Sequence, residues 1–329
     1  MEYRRLGRSG LKVSALSFGS WVTFHNQLNE KSAMECMALA YDRGVNFYDN
    51  AEVYAQGQSE IMMGSILKKL KYSRDSLIVS SKAFWGGDRP TQRGLSRKHL
   101  VDACHGALKR LQLDYLDLFF CHRPDRETPI EETVYTMDHL VKQGKILYWG
   151  TSEWAADEIM EAYAVARRYH LVPPTMEQPE YHMFHRDRVE KEYHRVYEAI
   201  GLGTTIWSPL ASGILTGKYN DSIPSNSRAN LKGFEWLKDK VLSDQGRQRI
   251  EKTKELQVVA DALNITVGQL AISWCLRNPN VSTVILGASQ KKQLEDNLKS
   301  LECVDLLTPQ VIDKIENILD NRPEAYKSY

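Results

Sequence analysis

Residues 44–54, G-V-N-F-Y-D-N-A-E-V-Y, open on a glycine, pass through the short aromatic run Phe47, Tyr48 and end in the polar turn that begins at Asp49. A run that brief, followed at once by helix-period sequence, reads as one β/α unit. The unit recurs at V-S-S-K (79–82) and F-F-C-H-R-P (119–124). Strand candidates fall at 15–18, 47–49, 77–80, 116–121, 146–149, 175–178, 204–207 and 283–286. Helix-period segments lie between them, around 31–43, 60–69, 97–110, 130–143, 155–169 and 189–200, and two more, 247–263 and 267–276, precede the last strand. Eight strands interleaved with helices predict an α/β fold, a (β/α)8 TIM barrel, with a doubly wound open sheet as the alternative. Residues 3–5 and 12–14 flank L-G-R-S-G and predict an N-terminal β-hairpin turning at Gly7 and Gly10. Closing helices are expected at 291–300 and 309–319. No linker, low-complexity segment or charge block divides the chain, so one barrel domain is expected over residues 1–329.

Lys and Arg number 43 against 42 Asp and Glu, a net charge of +1. No strong field therefore favours nucleic acid or an anionic membrane. The five cysteines, Cys36, Cys104, Cys121, Cys275 and Cys303, form no C-x-x-C pair, which fits a reducing compartment. The first residues lack the apolar core of a signal peptide, and no apolar stretch approaches the roughly 18 residues of a membrane span. The expectation is a cytoplasmic protein without direct membrane insertion.

In a barrel of this kind the C-terminal strand ends face one mouth. Asp49, Tyr54, Lys82 and His122 come at or just past three successive strand ends, so an acid, a phenol, an ammonium and an imidazole would meet there. Taken singly, each has an ordinary structural role: a capping carboxylate, a packed ring, a solvated lysine, a core histidine. As a set they fit proton delivery to a carbonyl oxygen. A phenol has an ordinary pKa near 10, which a neighbouring ammonium lowers. Lys82 is expected to do this for Tyr54, with Asp49 holding Lys82 and His122 orienting the substrate oxygen. Phe24, Trp85 and Trp154 are candidate apolar walls. His182 and His185 lack a third ligand, and no metal site is expected.

The span from 208 to 282 is far longer than the other connections. Its start, S-P-L-A-S-G-I-L-T-G-K-Y, is rich in Gly, Pro, Ser and Asn thereafter, as functional loops are, and it follows the seventh strand, where barrels often hold phosphate. Lys218 there is a candidate phosphate contact. In V-I-L-G-A-S-Q-K-K-Q-L-E-D-N a strand runs into Gly287 and Ser289 and a helix begins, a geometry that suits anions. Gln293, Asp296 and Asn297 on its first turns are candidates for an adenine or ribose.

These stretches, with W-V-T-F, G-L-S-R-K-H, Y-W-G-T-S-E-W and E-Q-P-E-Y-H-M-F, resemble the aldo-keto reductase superfamily over essentially the whole chain. More narrowly, the chain resembles the branch containing the β subunits of voltage-gated potassium channels and their plant and bacterial relatives. The resemblance implies a barrel binding NADPH in an extended pose, with Tyr54 as general acid, Lys82 its tuner, Asp49 the partner of Lys82, and His122 beside the substrate. It implies that Ser20, Trp21 and Gln27 lie beside the nicotinamide half, that Ser152 and Gln178 hold the carboxamide, and that Trp207 stacks on the ring. Ser208, Pro209, Leu210, Ala211 and Ser212 would line the pyrophosphate. Lys218 and Arg228 would meet phosphates, the latter near the 2′-phosphate, which favours NADPH over NADH. Gly287, Ser289, Gln293, Asp296 and Asn297 would clasp the adenosine end. Glu153 stands beside Ser152 on the cofactor side, where the mammalian channel subunits have Arg. Those subunits also have Asn in place of His122, so the histidine here points to turnover. The barrel is expected to begin without an N-terminal plug.

Three functions follow from these readings. The first is NADPH-dependent reduction of a small aldehyde or ketone. The second is an NADP(H)-sensing subunit bound to a potassium channel's cytosolic domain, with assembly into tetramers or octamers implied by the same resemblance. The third is a barrel isomerase or lyase that needs no nicotinamide.

Overall fold

A computed structural model describes residues 1–224, 227–230 and 233–324, with Arg228 described by its backbone alone. A two-stranded antiparallel hairpin, β1 (Tyr3–Arg5) and β2 (Lys12–Ser14), comes first. Eight strands follow: β3 (Leu16–Gly19), β4 (Phe47–Asp49), β5 (Ile78–Ala83), β6 (Leu116–Cys121), β7 (Ile146–Thr151), β8 (Met176–Glu177), β9 (Gly203–Ile206) and β10 (Val281–Leu286). All are parallel and close in the order β10-β3-β4-β5-β6-β7-β8-β9, a (β/α)8 barrel. Every strand candidate overlaps an observed strand.

The period-2 alternation of strand side chains sorts the barrel. Tyr48, Val79, Phe119 and Trp149 belong to the large core under the helices. Their neighbours Phe47, Ile78, Leu118 and Phe120 form a separate cluster with Met176 and with Leu6 and Val13 from the hairpin, which plugs the barrel floor. The hairpin sits close because glycines allow it. A Cβ on Gly203 would lie 2.6 Å from the Gly7 nitrogen, and Gly7 itself adopts a φ of +58°. One step further along the same inward rows stand Asp49, Ser80, Lys82 and His122. A dry floor thus carries a polar upper layer.

The first five crossover helices are α1 (Glu30–Asp42), α2 (Gln58–Leu70), α3 (Arg97–Leu111), α4 (Ile130–Lys142) and α5 (Ala156–Arg168). A carboxylate ties α2 to the barrel: Glu60 accepts from Ser81 Oγ at 2.6 Å and Arg110 Nε at 2.6 Å. The helix expected over 189–200 divides into a π turn, Arg188–Glu192, and α6 (His194–Ile200). A helix unannounced by the sequence, α7 (Glu235–Leu242), precedes α8 (Asp244–Ala262) and α9 (Val267–Leu276). It buries only Leu237 and Val241, too few anchors to give a period. The helix expected over 291–300 stops earlier, as α10 (Lys291–Leu298), and continues as a 3-10 turn, Lys299–Leu306, before α11 (Pro309–Leu319). No single helix among the described residues is long and apolar enough to cross a membrane.

Glu177 is fully buried behind β8, where it accepts from Thr151 Oγ1 and from the Trp154 amide at 3.3 Å. Burial pushes its carboxyl up from 4.5 to about 8. A folded pKa above the unfolded one gives stability that is full below 4.5 and lost as pH rises through 8. Glu177→Gln is therefore expected to flatten a fall in melting temperature across that window, as calorimetry at stepped pH will show.

Candidate active site

Four polar side chains converge at the top of the barrel. The Lys82 side chain is completely buried on β5. Its Nζ donates to Asp49 Oδ2 at 2.7 Å, to the Asn50 carbonyl at 2.8 Å and to Tyr54 Oη at 3.0 Å. An ammonium has three donors and no acceptor. All three are used, and the third fixes the sense of the Tyr54 contact. The phenol oxygen accepts from lysine, so its own hydrogen is directed elsewhere. Asp49 is held in turn on Oδ1, by Ser80 Oγ at 2.8 Å and Gln178 Nε2 at 3.1 Å. Ser20 Oγ donates to the Asp49 carbonyl at 3.0 Å.

Tyr54 reaches this position through an unusual turn. Ala55 (φ 47°) and Gln56 (φ 53°) are both left-handed and are followed by Gly57 at 83°. Thirteen described non-glycine residues have positive φ. Lys71, Gln112, His170, Asn264 and Asp320 follow or end helices, where such residues stop a helix. The other eight, Val22, His25, Ala55, Gln56, Glu153, Ser208, Ala211 and Ser212, lie in the loops after the barrel strands. Backbone strain of this kind gathers where function needs it.

His122 is buried, and its ring lies edge-on to Tyr54 (5.9 Å) and to Trp85 (5.0 Å). Burial first, then the Lys82 and Arg123 charges, hold its pKa well below the usual 6.5, so the imidazole is neutral at neutral pH. Burial pulls the Lys82 ammonium down, opposed by Asp49. Burial, reinforced by Asp49, pushes the Tyr54 phenol well above 10. The ammonium was expected to lower it. Desolvation and the nearby carboxylate outweigh the opposing Arg123 charge, and the resting site keeps its proton on Tyr54.

A cavity of about 1120 Å³ opens above these groups and runs toward the loop after β9 and the start of α10. Ligand cavities span roughly 300–1,000 Å³, so there is room for a large ligand. Most of the anticipated residues line it. Trp21, Gln27, Ser152, Gln178 and Trp207 do so near the tetrad. Ser208, Pro209, Leu210, Ser212 and Lys218 line its middle, and Gly287, Ser289, Gln293, Asp296 and Asn297 its far end. Four others do not form its wall: Ser20 and Ala211 are buried beneath it, Lys82 lies behind Tyr54 and Asp49, and Glu153 turns to its neighbours. Glu153 accepts from the Trp207 indole Nε1 at 3.0 Å and the Glu180 amide at 2.6 Å, and pairs with Arg188 at 3.2 Å. It acts on the cavity through Trp207. The Arg228 side chain lies outside the described residues.

Of the three aromatic wall candidates, Trp85 lines the cavity, whereas Phe24 and Trp154 are core. Arg123, Ser227 and Trp236 also line it and were not foreseen. The adjacency of Arg123 to His122 in H-R-P was its one available sign. His182 pairs with Glu180 at 3.2 Å. Among the described residues no group of three or more His, Cys, Asp and Glu is arranged to hold a metal.

The model of the aldo/keto reductase family matches residues 15–320. The chain belongs to the aldo/keto reductase family. That membership makes it an oxidoreductase by descent and a nicotinamide its cofactor class. The cavity fits such a group on its own features. Gln27 Oε1 and Ser227 Oγ, both on the lining, are buried polar atoms with no partner among the described residues, as a polar ligand would require. Gly213 adopts a φ of +96°, a conformation glycine takes without strain, in the turn that leads to Lys218. Ser289 N and Oγ both donate to Gln293 Oε1, at 3.0 and 3.1 Å, which shapes the start of α10.

Lys82→Met would leave Asp49 charged and dry, and breaking a buried pair from one side costs about 3–5 kcal/mol. Chemical denaturation should register that loss, and adding Asp49→Asn should recover part of it.

Proposed function

We propose that this protein is an NADPH-dependent reductase of aldehydes and ketones, with Tyr54 as the proton donor. The observation that carries the reading is the Lys82–Tyr54 contact at 3.0 Å, made by an ammonium already committed to Asp49 and Asn50. When bound, the cofactor supplies the hydride.

The chain's own residues supply the proton and the geometry. The phenol of Tyr54 is protonated at rest and lines the cavity wall, with His122 beside it. As charge grows on a substrate oxygen, the phenolic proton passes from Tyr54 Oη to that oxygen. The phenolate left behind faces the Lys82 ammonium, whose attraction is strong in a low-dielectric site. Burial therefore retains the proton before reaction, and the ammonium stabilises its departure. A neutral imidazole at His122 can donate or accept one hydrogen bond at the same oxygen, and so orient it.

Ser152 and Gln178 are the residues we assign to the carboxamide. They are bonded together, Ser152 Oγ to the Gln178 carbonyl at 2.9 Å. Trp207, braced by Glu153 and edge-on to Trp21 at 6.0 Å, is assigned to the ring. Lys218 is assigned to a phosphate.

Tyr54→Phe should lower kcat for an aromatic aldehyde by about 10²–10⁴-fold, the usual share of a general acid, while NADPH still quenches tryptophan fluorescence. Turnover equal to wild type would refute the assignment. Lys218→Met should weaken NADPH binding by roughly tenfold or more, the loss of one charge-assisted contact, as measured by fluorescence titration.

A further inference from the structure

We infer that Arg123 makes this active site selective for carbonyl compounds that also carry a carboxylate. The inference deepens the reductase reading and rests on it.

Among the described residues four charged side chains line the cavity: Asp49, Arg123, Lys218 and Asp296. Asp49 is answered by Lys82 at 2.7 Å, and Asp296 by Lys299 at 3.4 Å. Lys218 lies on the loop after β9, away from the tetrad. Arg123 is the charge next to His122, and among the described residues no carboxylate comes within ion-pairing distance of it. The nearby acids are already engaged. Glu153 pairs with Arg188, and Asp125 Oδ2 accepts from the Leu95 amide at 2.7 Å and Thr128 Oγ1 at 2.7 Å.

The guanidinium is held but not satisfied. Its Nη1 donates to the His122 carbonyl at 2.5 Å and to Ser152 Oγ at 3.3 Å. Its carbon stands 5.3 Å from the centre of the Trp85 ring, an aromatic shelf that fixes its plane. Nε and Nη2 have no partner among the described residues. An arginine offers five donors in a fork that matches a carboxylate, and here two of its nitrogens remain for one. Its charge is felt by Tyr54, Lys82 and His122, in each case as a lesser cause than burial. The surrounding walls, Trp21, Trp85 and Trp207, are aromatic and uncharged. A substrate with its carbonyl at Tyr54 and an aromatic or short apolar body would thus meet Arg123, which has no carboxylate partner among the described residues.

The test compares 4-formylbenzoate with its neutral methyl ester in NADPH oxidation. Wild type should favour the anion in kcat/KM by about ten- to hundred-fold, the range of one charge-assisted hydrogen-bonded pair, and the preference should shrink as salt is added. Arg123→Gln should bring the ratio close to one, mainly through KM, and Arg123→Lys should keep part of it. A second readout needs no turnover: calorimetry of benzoate against benzamide, with and without NADP⁺, on wild type and Arg123→Gln. Benzoate should bind the tighter in wild type and lose that advantage in the variant. Equal use of acid and ester by wild type, or a ratio unchanged in Arg123→Gln, would overturn the inference. If neither aldehyde is reduced, the reductase reading fails, and the benzoate measurement still decides whether Arg123 is an anion receptor. Benzoate binding no better than benzamide would show that it is not.

Discussion

A single ammonium organises the upper half of this barrel. Lys82 has no water to turn to, so its three hydrogens must each find oxygen inside the protein, and they find Asp49, the Asn50 carbonyl and Tyr54. An unmatched buried charge is among the costliest arrangements a fold can hold. The constraint therefore propagates. Asp49 must stay charged and oriented, which calls on Ser80 and Gln178. Tyr54 must approach from a turn, which requires the left-handed run at Ala55–Gly57. The proton on Tyr54 is left with the cavity as its outlet.

The barrel makes this affordable by separating two layers. Phe47, Ile78, Leu118 and Phe120 form a dry floor, closed beneath by the hairpin through Leu6 and Val13. Two or four residues further along, the same inward faces carry Asp49, Ser80, Lys82 and, just past β6, His122. A one-residue slip of any strand would turn its inward row outward, so the apolar floor fixes the register that the site depends on. Eight of the thirteen described non-glycine residues with left-handed backbone lie in the loops at the mouth, and the other five follow or end helices.

Much of this was legible in the chain. The strands are short β-branched and aromatic runs with polar ends, and all eight candidates overlap observed strands. Asp49, Lys82 and His122 were legible for the same reason, since they fall on inward faces at strand ends, and Tyr54 follows Asp49 in the loop after β4. Other features depend on tertiary context that no local pattern records. Lys82 lies within β5 rather than beyond it, because the strand continues to Ala83. The phenol's pKa moves up, not down, since burial is invisible to a motif. Glu153 braces Trp207 from behind, a role set by Arg188 and Glu180 from elsewhere in the chain. The α7 helix and the cavity-facing Trp236 lie in the long segment after β9, where periodicity is weak. Arg123 was hidden in plain view, its importance resting on the carboxylates it does not meet.

The central claim is the direction of one hydrogen bond. Neutron diffraction from deuterated crystals would locate the deuterons between Lys82 and Tyr54. Three deuterons on Nζ, one of them directed at Tyr54 Oη, with the phenolic deuteron turned toward the cavity, is the predicted arrangement. A two-deuteron amine accepting from the phenol would contradict it.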